Sequence, residues 1–421
     1  MNTAVVGINW GDEGKGRMVD LMSERYDVVV RYQGGNNAGH TVVNPRGKFI
    51  LNLLPSGILR PEVVCVMGSG MVVDLRHLHD EIERLRAQGI VITPDNLKIS
   101  DRATICMPYH VMQDCLEEDR LKDKKFGSTR RGIAPVYADK YLKKTLRAGD
   151  LIYKNDLSGR LRDLVEWKNI TFGGYGEKIS SEETEEWLRV YGEFAKPFVC
   201  DTSEYLLSAQ KSGKNIMFEA QLGALRDIDF GIYPMTSSSN TIAAYAPIGS
   251  GVPSIKLDVV LGIVKAYSSC VGEGWFVSEL FGDEAKKLRD AGGEYGAATG
   301  RPRRVGAFDV PATNYGIEVQ AATELSITKL DVLGCMEKIP VCVAYDCNGK
   351  TLTRFPYPDL LTDCKPVIRY LDGWNCDVGK CRSYSELPEN ARKYVDFLRD
   401  NLNAPVKYLS VGPERDSYIE L

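Results

Sequence analysis

The chain has 421 residues, of which 43% are hydrophobic and 26% charged, a composition typical of globular proteins with a large buried core. Its formal net charge of −4 argues against a general nucleic-acid or anionic-membrane surface. No apolar run approaches the ~20 residues of a membrane span, and no targeting segment precedes the first predicted strand, so we expect a cytoplasmic protein.

The first sixteen residues predict a phosphate-binding site. An apolar strand at residues 4–8 precedes a glycine-rich turn and a helix through residues 17–22. Glycines let backbone N–H groups approach an anion, Lys15 adds a point charge, and the helix N-terminus adds a partial positive charge. The spacing departs from the standard nucleoside-triphosphate loop, because Gly16 stands where a magnesium-binding hydroxyl is expected. Asp12 is therefore the candidate metal ligand.

A second loop of similar composition follows another buried-strand pattern. Residues 31–41 contain three glycines, two asparagines and His40, and they come after the valines at 28–30. His40 is the one histidine of four with a functional context. Two ordinary turns are the alternative, but two such loops within forty residues favour a phosphate site.

The order of predicted elements indicates an α/β protein. A strand at 63–67, a helix at 75–88 and a strand with a turn at 90–100 continue the alternation. We expect a mostly parallel central sheet with ligand loops at its carboxyl edge, surrounding helices and smaller subdomains. Residues 159–215 predict a helical insertion, and apolar positions at helical spacing over 257–267 predict a buried core segment.

Eleven cysteines in 421 residues are too few for a disulfide scaffold, and their spacings do not match those of zinc knuckles. We interpret most of them as packed or surface thiols in a reducing compartment.

Three later segments carry further chemistry. Hydroxyls beside arginines at 126–135 suit a phosphate monoester, although a solvated basic turn is the alternative. Three arginines within 293–304 suit a dicarboxylate, although a solvated face would look the same. A strand over 325–331 ends in Asp331, whose carboxylate can accept from both the N1–H and the amino group of guanine. This residue favours GTP over ATP.

Residues 10–16 and 33–41 resemble the two signature motifs of the adenylosuccinate synthetase family, and similar blocks continue in family order to about residue 415. The resemblance implies one domain over residues 1–421, with the insertion at 159–215 its least certain part. It also implies a ligase that joins inosine monophosphate (IMP) and L-aspartate into adenylosuccinate in AMP synthesis. GTP is the co-substrate, 6-phosphoryl-IMP the intermediate, Mg²⁺ the cofactor and a homodimer the expected assembly.

The catalytic roles follow from that resemblance and from the chemistry of the side chains. Asp12 is the expected general base toward purine nitrogen 1, and His40 is the expected acid or donor at the γ-phosphoryl group. Lys15 neutralises the phosphates. The metal ligands are expected to be the Asp12 carboxylate and the Gly39 carbonyl.

The resemblance also implies the binding residues. Expected GTP contacts are Gly11, Glu13, Gly14, Lys15, Gly16, Gly39, His40, Thr41, Lys329, Asp331, Ser410 and Gly412. Expected IMP contacts are Asp12, Asn37, Thr129, Lys143, Gln221, Ser237, Val271 and Arg301. Expected aspartate contacts are Thr299, Arg301 and Arg303.

The chain departs from the family pattern at several of these positions. Arg130 replaces a family glycine, and Ala298 replaces a threonine. Lys143 stands where the family has an arginine that reaches from the second subunit. Gln221 lies one position early, so Leu222 occupies the aligned place. For Ser237, a helix cap is an equally simple interpretation.

Two other functions fit part of the pattern. A GTP-binding switch would use the guanine motif but would need no arginine-rich dicarboxylate segment. A GTP-dependent small-molecule kinase would release a stable phosphorylated product. Dependence of GTP consumption on aspartate, and a succinyl addition to the purine, distinguish the ligase from both.

Overall fold

The structure is a computed structural model that describes residues 1–44, 47–295, 300, 302–414 and 416–421. The α-helices of the described residues are α1 (Lys15–Met22), α2 (Leu75–Ala87), α3 (Pro108–Arg120), α4 (Ile133–Leu142), α5 (Asp150–Tyr153), α6 (Leu157–Gly173), α7 (Ser181–Ala195), α8 (Thr202–Lys211), α9 (Ala246–Ser250), α10 (Gly282–Gly292), α11 (Val310–Gln320) and α12 (Glu389–Asn401).

The strands are β1 (Asn2–Gly7), β2 (Val28–Arg31), β3 (His40–Asn44), β4 (Gly47–Leu51), β5 (Val64–Met67), β6 (Val72–Val73), β7 (Leu97–Ser100), β8 (Thr104–Ile105), β9 (Val199–Cys200), β10 (Ile216–Glu219), β11 (Val259–Lys265), β12 (Ser268–Cys270), β13 (Arg304–Gly306), β14 (Phe308–Asp309), β15 (Glu324–Thr328), β16 (Lys338–Cys347), β17 (Lys350–Leu352), β18 (Cys364–Asp372), β19 (Val406–Ser410) and β20 (Tyr418–Glu420).

A ten-stranded sheet forms the centre of the fold. Its order is β20-β19-β15-β11-β1-β10-β2-β5-β7-β9, and every neighbouring pair is parallel except β19 with β20. Strands β1, β2 and β10 are buried along their whole length, as expected of parallel strands covered on both faces. The predicted α/β class and parallel sheet are therefore confirmed.

One element prediction is wrong in type. The apolar segment 257–267 is not helical, because β11 runs through it and pairs with β1 on one side and β15 on the other. The prediction that it belongs to the core is correct, since all of β11 after Val259 is buried. A short apolar run rich in β-branched residues fits a central strand, and periodicity alone does not separate this from a buried helix.

The segment at 159–215 is mostly helical, as predicted. It contains α7, α8 and nearly all of α6, and a side-chain oxygen of Asp156, Ser180 or Asp201 caps the N-terminus of each. Between α7 and α8, β9 adds the last strand to one edge of the central sheet. The insertion therefore contributes to the sheet as well as packing against it.

A smaller sheet lies beside the central one. Strand β16 pairs with β14, β17 and β18, and a disulfide joins Cys347 to Cys364 across β16 and β18. The cysteine spacing did not indicate this pairing. None of the helices in the described part of the chain combines the length and apolar character that crossing a bilayer requires.

We predict that Asp309→Asn changes how stability depends on pH. Asp309 is buried, and its carboxylate accepts hydrogen bonds from Ala312 N (3.0 Å) and Tyr345 Oη (2.7 Å). Burial raises the pKa of Asp309 to about 6, from 3.8. The carboxyl group therefore stabilises the fold below pH ~4, and up to about 3 kcal/mol of this is lost as the pH rises through ~6.

Urea unfolding of Asp309→Asn should show a shallower fall in the free energy of unfolding between pH 4 and pH 6 than the wild type shows. The control is Asp346→Asn, an exposed aspartate on β16. Equal pH slopes for wild type and Asp309→Asn would contradict the prediction.

Candidate active site at the carboxyl edge of the central sheet

The five central strands end beside one another, so the loops that follow them share one edge of the sheet. The strand order β15-β11-β1-β10-β2 brings together segments that are far apart in the sequence. The first glycine loop follows β1, the second follows β2, and the segment with Lys329 and Asp331 follows β15. In open parallel sheets, ligands bind at this edge.

The first loop turns through left-handed backbone. The φ angles are +99° at Gly11, +63° at Asp12 and +95° at Gly14. Glycine adopts this region without strain, whereas at Asp12 the conformation has a cost. Asp12 is thus a non-glycine residue held in a strained position, and its carboxyl side chain remains about one-third exposed (32%).

Glu13 holds this loop from inside. Its Oε1 accepts hydrogen bonds from the backbone N–H of Asn9 (3.1 Å) and Gly11 (2.7 Å). Its Oε2 accepts from Lys15 Nζ at 2.8 Å, and both side chains of this ion pair are almost fully buried. A Cβ at Gly7 would lie 2.3 Å from the backbone carbonyl oxygen of Leu222 and 2.6 Å from Glu13 Oε2, so the end of β1 requires a glycine.

Asp12 is paired with an arginine from the predicted dicarboxylate segment. Arg303 Nη2 lies 2.7 Å from Asp12 Oδ2, and its Nη1 donates to Glu294 Oε2 at 3.0 Å. Burial opposes the charge on Arg303, but Asp12 and Glu294 raise its pKa above the ordinary value. The predicted base and the predicted aspartate ligand are therefore direct neighbours.

His40 is oriented by a buried carboxylate. Its Nδ1 lies 2.6 Å from Oε1 of Glu219, the last residue of β10, which also accepts hydrogen bonds from the Ser56 backbone and hydroxyl at 2.7 Å each. Burial alone would raise the pKa of Glu219, but His40 and the fully buried Arg31 lower it below the ordinary value. Because Glu219 occupies Nδ1, Nε2 is the nitrogen of His40 left for a ligand.

The predicted inosine amide, Gln221, contacts protein rather than open space. Its side chain is fully buried and its Nε2 donates to the carbonyls of Gly35 (3.0 Å) and Ala38 (3.3 Å). A nucleotide contact by Gln221 stays a prediction, and its Oε1, buried without a hydrogen-bond partner in the described structure, is the atom not already bonded. Leu222, in the position that the family alignment gives to the glutamine, has a φ of +63°.

The predicted guanine segments meet at one end of the site. Leu330 N donates to Ser410 O at 3.1 Å, which joins the loop after β15 to the end of β19. Arg17 of α1 donates to the Ser410 hydroxyl and to the carbonyl of Gly412. Burial raises the pKa of Asp331. Lys329, Asp331, Ser410 and Gly412 thus lie at this end of the site.

Two acidic side chains of α3 hold the predicted phosphate-monoester loop in place by hydrogen bonds. Asp114 and Glu118 of α3 accept hydrogen bonds of 2.6 to 3.1 Å from its backbone N–H groups and one serine hydroxyl. Thr129 is exposed, so its hydroxyl is accessible. Arg130, at a φ of +56°, pairs with Asp119 at 2.5 Å, which accounts for its place in the loop.

The other predicted IMP residues lie on separate segments. Val271 is exposed, and its carbonyl accepts from Arg226 at 2.6 Å. Ser237 Oγ lies 3.2 Å from Ser239 Oγ, in a loop that does not cap an α-helix. Lys143 follows α4 in left-handed conformation and is exposed.

Asn37 accepts a hydrogen bond from Gly35 N at 3.2 Å. Gly16 packs against the His40 side chain, because a Cβ there would lie 2.8 Å from His40 Cβ and 3.3 Å from its ring atom Cγ. Gly39 and Thr41, next to His40, are exposed. Thr299, Arg301 and the substitution Ala298 lie outside the described residues.

The residues present fit a magnesium ion that is shared with phosphates. The described residues contain no group of three or more His, Cys, Asp or Glu side chains suited to a metal. Mg²⁺ usually takes one or two carboxylates and completes its shell with water and phosphate oxygens. The partly exposed Asp12 carboxylate beside the phosphate loop meets that requirement.

Sequence reasoning missed two carboxylates of this site. Glu219 contacts His40, and Glu294 contacts Arg303. An acidic residue at the end of an otherwise apolar strand was the available signal for Glu219. The signal for Glu294 was its place between a glycine pair and the arginine-rich segment.

Comparisons with known proteins agree with this geometry. The family model for adenylosuccinate synthetase matches residues 4–419. An adenylosuccinate synthetase from Caldanaerobacter subterraneus is 44% identical over 422 residues, covering 100% of this chain and 99% of the relative. Adenylosuccinate synthetase 2 from Pseudoalteromonas translucida is 43% identical, covering 99% of this chain and 98% of the relative.

The solved structure of fully ligated adenylosuccinate synthetase from Plasmodium falciparum is also similar. It matches with a TM-score of 0.92 and 33% identity, covering 100% of this chain and 99% of the other. A cyanophage S-2L succinoaminodeoxyadenylate synthetase shares the fold, with a TM-score of 0.62 at 17% identity.

We predict that Glu13→Ala destabilises the protein by about 3–5 kcal/mol, because it leaves Lys15 as a buried charge without its carboxylate. The double variant Glu13→Leu with Lys15→Met removes both charges and should be less destabilised than the single variant. Urea unfolding measures both.

A matched control is Glu83→Ala, which removes one partner of the exposed Glu83–Arg86 pair and should change the free energy of unfolding by less than about 1 kcal/mol. Equal effects of Glu13→Ala and Glu83→Ala would show that the buried pair does not hold the loop.

Proposed function

The chain belongs to the adenylosuccinate synthetase family and joins IMP to L-aspartate with the consumption of GTP, and we propose that the site described above carries out this reaction. The observation that supports the proposal is the 2.7 Å ion pair between Asp12 and Arg303. It joins the phosphate loop to the segment suited to a dicarboxylate. A GTP-binding switch or a small-molecule kinase needs no such junction, so the ligase is favoured.

The chemistry explains why the phosphate loop needs a base. A six-oxo purine is a poor electrophile, because direct displacement of its oxygen would release an oxide. When Asp12 accepts the proton from nitrogen 1, the oxygen becomes nucleophilic and attacks the γ-phosphorus of GTP, and GDP leaves. The aspartate amine then attacks carbon 6, and the phosphorylated oxygen departs as inorganic phosphate.

His40 acts as donor at the phosphoryl group in this proposal. The Glu219 carboxylate lies 2.6 Å from Nδ1 and orients the imidazole ring. Nδ1–H is then held by Glu219, and Nε2–H is directed to the oxygens of the γ-phosphoryl group as their charge changes. Glu219 is a positioning residue, since it acts through His40.

The remaining ligands are assigned by position. Asp12 and the Gly39 carbonyl would hold Mg²⁺, which supplies charge neutralisation at the phosphates when bound. Asp331 selects guanine, and Arg303 binds the carboxylates of aspartate. Thr129 is accessible for the phosphate of IMP.

We further propose that the active assembly is a homodimer in which Lys143 acts across the interface. Thr129 precedes α4 and Lys143 follows it, and a ten-residue helix separates its ends by about 15 Å. This separation supports contacts to one phosphate by Thr129 and Lys143 from different subunits. Two exposed apolar side chains precede Lys143 directly in the chain, Tyr141 (71% exposed) and Leu142 (53% exposed), as suits a surface that a second subunit covers.

We predict that Asp12→Ala lowers adenylosuccinate formation on the order of a hundredfold or more, because the purine oxygen is no longer activated by loss of the N1 proton. Mass spectrometry of the purine after incubation with IMP, GTP and L-aspartate measures the succinyl addition. GTP binding, measured by calorimetry, should persist.

The control is Asp80→Ala, an exposed aspartate on α2, which should retain wild-type product formation. Substantial product from Asp12→Ala would remove Asp12 from its role. A phosphorylated purine without a succinyl group from the wild type would favour the kinase instead.

Subunit mixing tests the role of Lys143. Thr129→Ala and Lys143→Ala should each lose most activity alone. After equal mixing and subunit exchange, about a quarter of wild-type activity should return, because half the dimers are mixed and each has one intact site. Steady-state product formation before and after exchange is the measurement, and no recovery would place both residues on one subunit's site.

A further inference from the structure

Glu294 is a buried carboxylate shared by three cations. Its Oε1 accepts from Lys265 at 2.7 Å, from Tyr267 at 2.6 Å and from Lys329 at 3.1 Å. Its Oε2 accepts from Arg303 at 3.0 Å. Four donors from three segments thus meet on one side chain.

The charges make this carboxylate essential to its neighbours. Burial alone would raise the pKa of Glu294, but Lys265 and Lys329 hold it well below the ordinary value, so the group is ionised. Lys265 is itself only 2% exposed, and it forms an ion pair with Glu294 at 2.7 Å. The other two cations are more accessible, since Lys329 is 34% and Arg303 21% exposed.

The two accessible cations belong to opposite ends of the site. Lys329 lies at the guanine end, and its Nζ also donates to the Gly292 carbonyl at 2.6 Å, next to Glu294. Arg303 lies at the aspartate end and also contacts Asp12. Its Nε is buried without a hydrogen-bond partner in the described structure, so this N–H group is still available to donate to a ligand.

From this arrangement we propose that Glu294 is a positioning residue that couples the guanine end of the site to the aspartate end. One carboxylate holds Lys329 and Arg303 together, so a nucleotide that fixes Lys329 also fixes the position from which Arg303 meets a dicarboxylate. The inference rests on the proposed function, in which Arg303 binds aspartate and Lys329 lies against guanine.

The coupling arises because four donors share the two carboxylate oxygens of Glu294. Lys265 and Tyr267 are buried, and both donate hydrogen bonds to Oε1 of Glu294. Lys329 donates to the same oxygen, so in this proposal the position of Lys329 determines how the carboxylate is oriented toward Arg303. A guanine base against the Lys329 stem limits the motion of that lysine. Arg303 then loses less conformational entropy when aspartate binds, which raises aspartate affinity, and linkage requires the reverse effect on the nucleotide.

Calorimetry with GDP and L-aspartate, at saturating IMP and Mg²⁺, measures the coupling without turnover. The dissociation constant of GDP is determined with and without saturating aspartate. For the wild type we expect aspartate to tighten GDP about fivefold or more, and for Glu294→Gln we expect a ratio near one. A wild-type ratio of one, or an unchanged ratio in Glu294→Gln, overturns the proposal.

A second variant guards against misfolding. Glu294→Gln leaves Lys265 buried without its carboxylate, whereas Glu294→Gln with Lys265→Met removes both charges and should fold. Thermal unfolding checks each protein. Loss of coupling in the folded double variant supports the proposal, and full coupling there contradicts it, because a purely structural Glu294 would lower stability and leave the ratio unchanged.

The matched control is Glu279→Gln. Glu279 binds Arg304, the residue after Arg303, with contacts of 2.9 and 2.5 Å. The Glu279→Gln variant should therefore keep the wild-type ratio of GDP dissociation constants without and with aspartate. A different result would reject the proposed function: if the wild type forms no succinylated product, the protein does not act as the proposed ligase. Normal product formation with a coupling ratio of one rejects only the role of Glu294.

Discussion

The position of β1 at the centre of the parallel sheet is the constraint on which the site depends. Because β1 lies between β10 and β11, with β2 and β15 one strand further out, the loops after all five strands emerge at one edge. Close packing then leaves no room for a side chain at Gly7, where Glu13 and Lys15 approach the end of the strand. The phosphate loop, the histidine loop and the guanine segment are brought together by sheet order rather than by their spacing in the chain.

A second regularity is that buried glutamates hold three of the predicted site residues. Glu13 holds Lys15, Glu219 holds His40 and Glu294 holds Arg303. A buried carboxylate fixes the position of its partner, because removing either charge would leave the other uncompensated. The glutamates thus provide preorganisation, since the side chains that they hold need not be ordered again when a ligand arrives.

The sequence was sufficient to predict the ligand loops, but not the side chains from distant segments that hold those loops in place. Glycines at Gly11 and Gly14 are a local signal, because left-handed backbone requires them, and the strands that precede the loops are apolar runs. Glu219 lies 179 residues after its partner His40, and Arg303 lies 291 residues after its partner Asp12. No local sequence pattern joins the members of either pair. Segment 257–267 failed for a related reason, because its neighbours in the sheet decide that it is a strand.

The pairing of Asp12 with Arg303 has a consequence for the order of events. In the proposed function Arg303 binds the carboxylates of aspartate, and its buried Nε, which has no hydrogen-bond partner in the described structure, is a donor available to them. A dicarboxylate bound there would compete with Asp12 for the same guanidinium. If Asp12 is the base that we propose, aspartate binding would free its carboxylate when the amine that consumes the phosphorylated purine is in place.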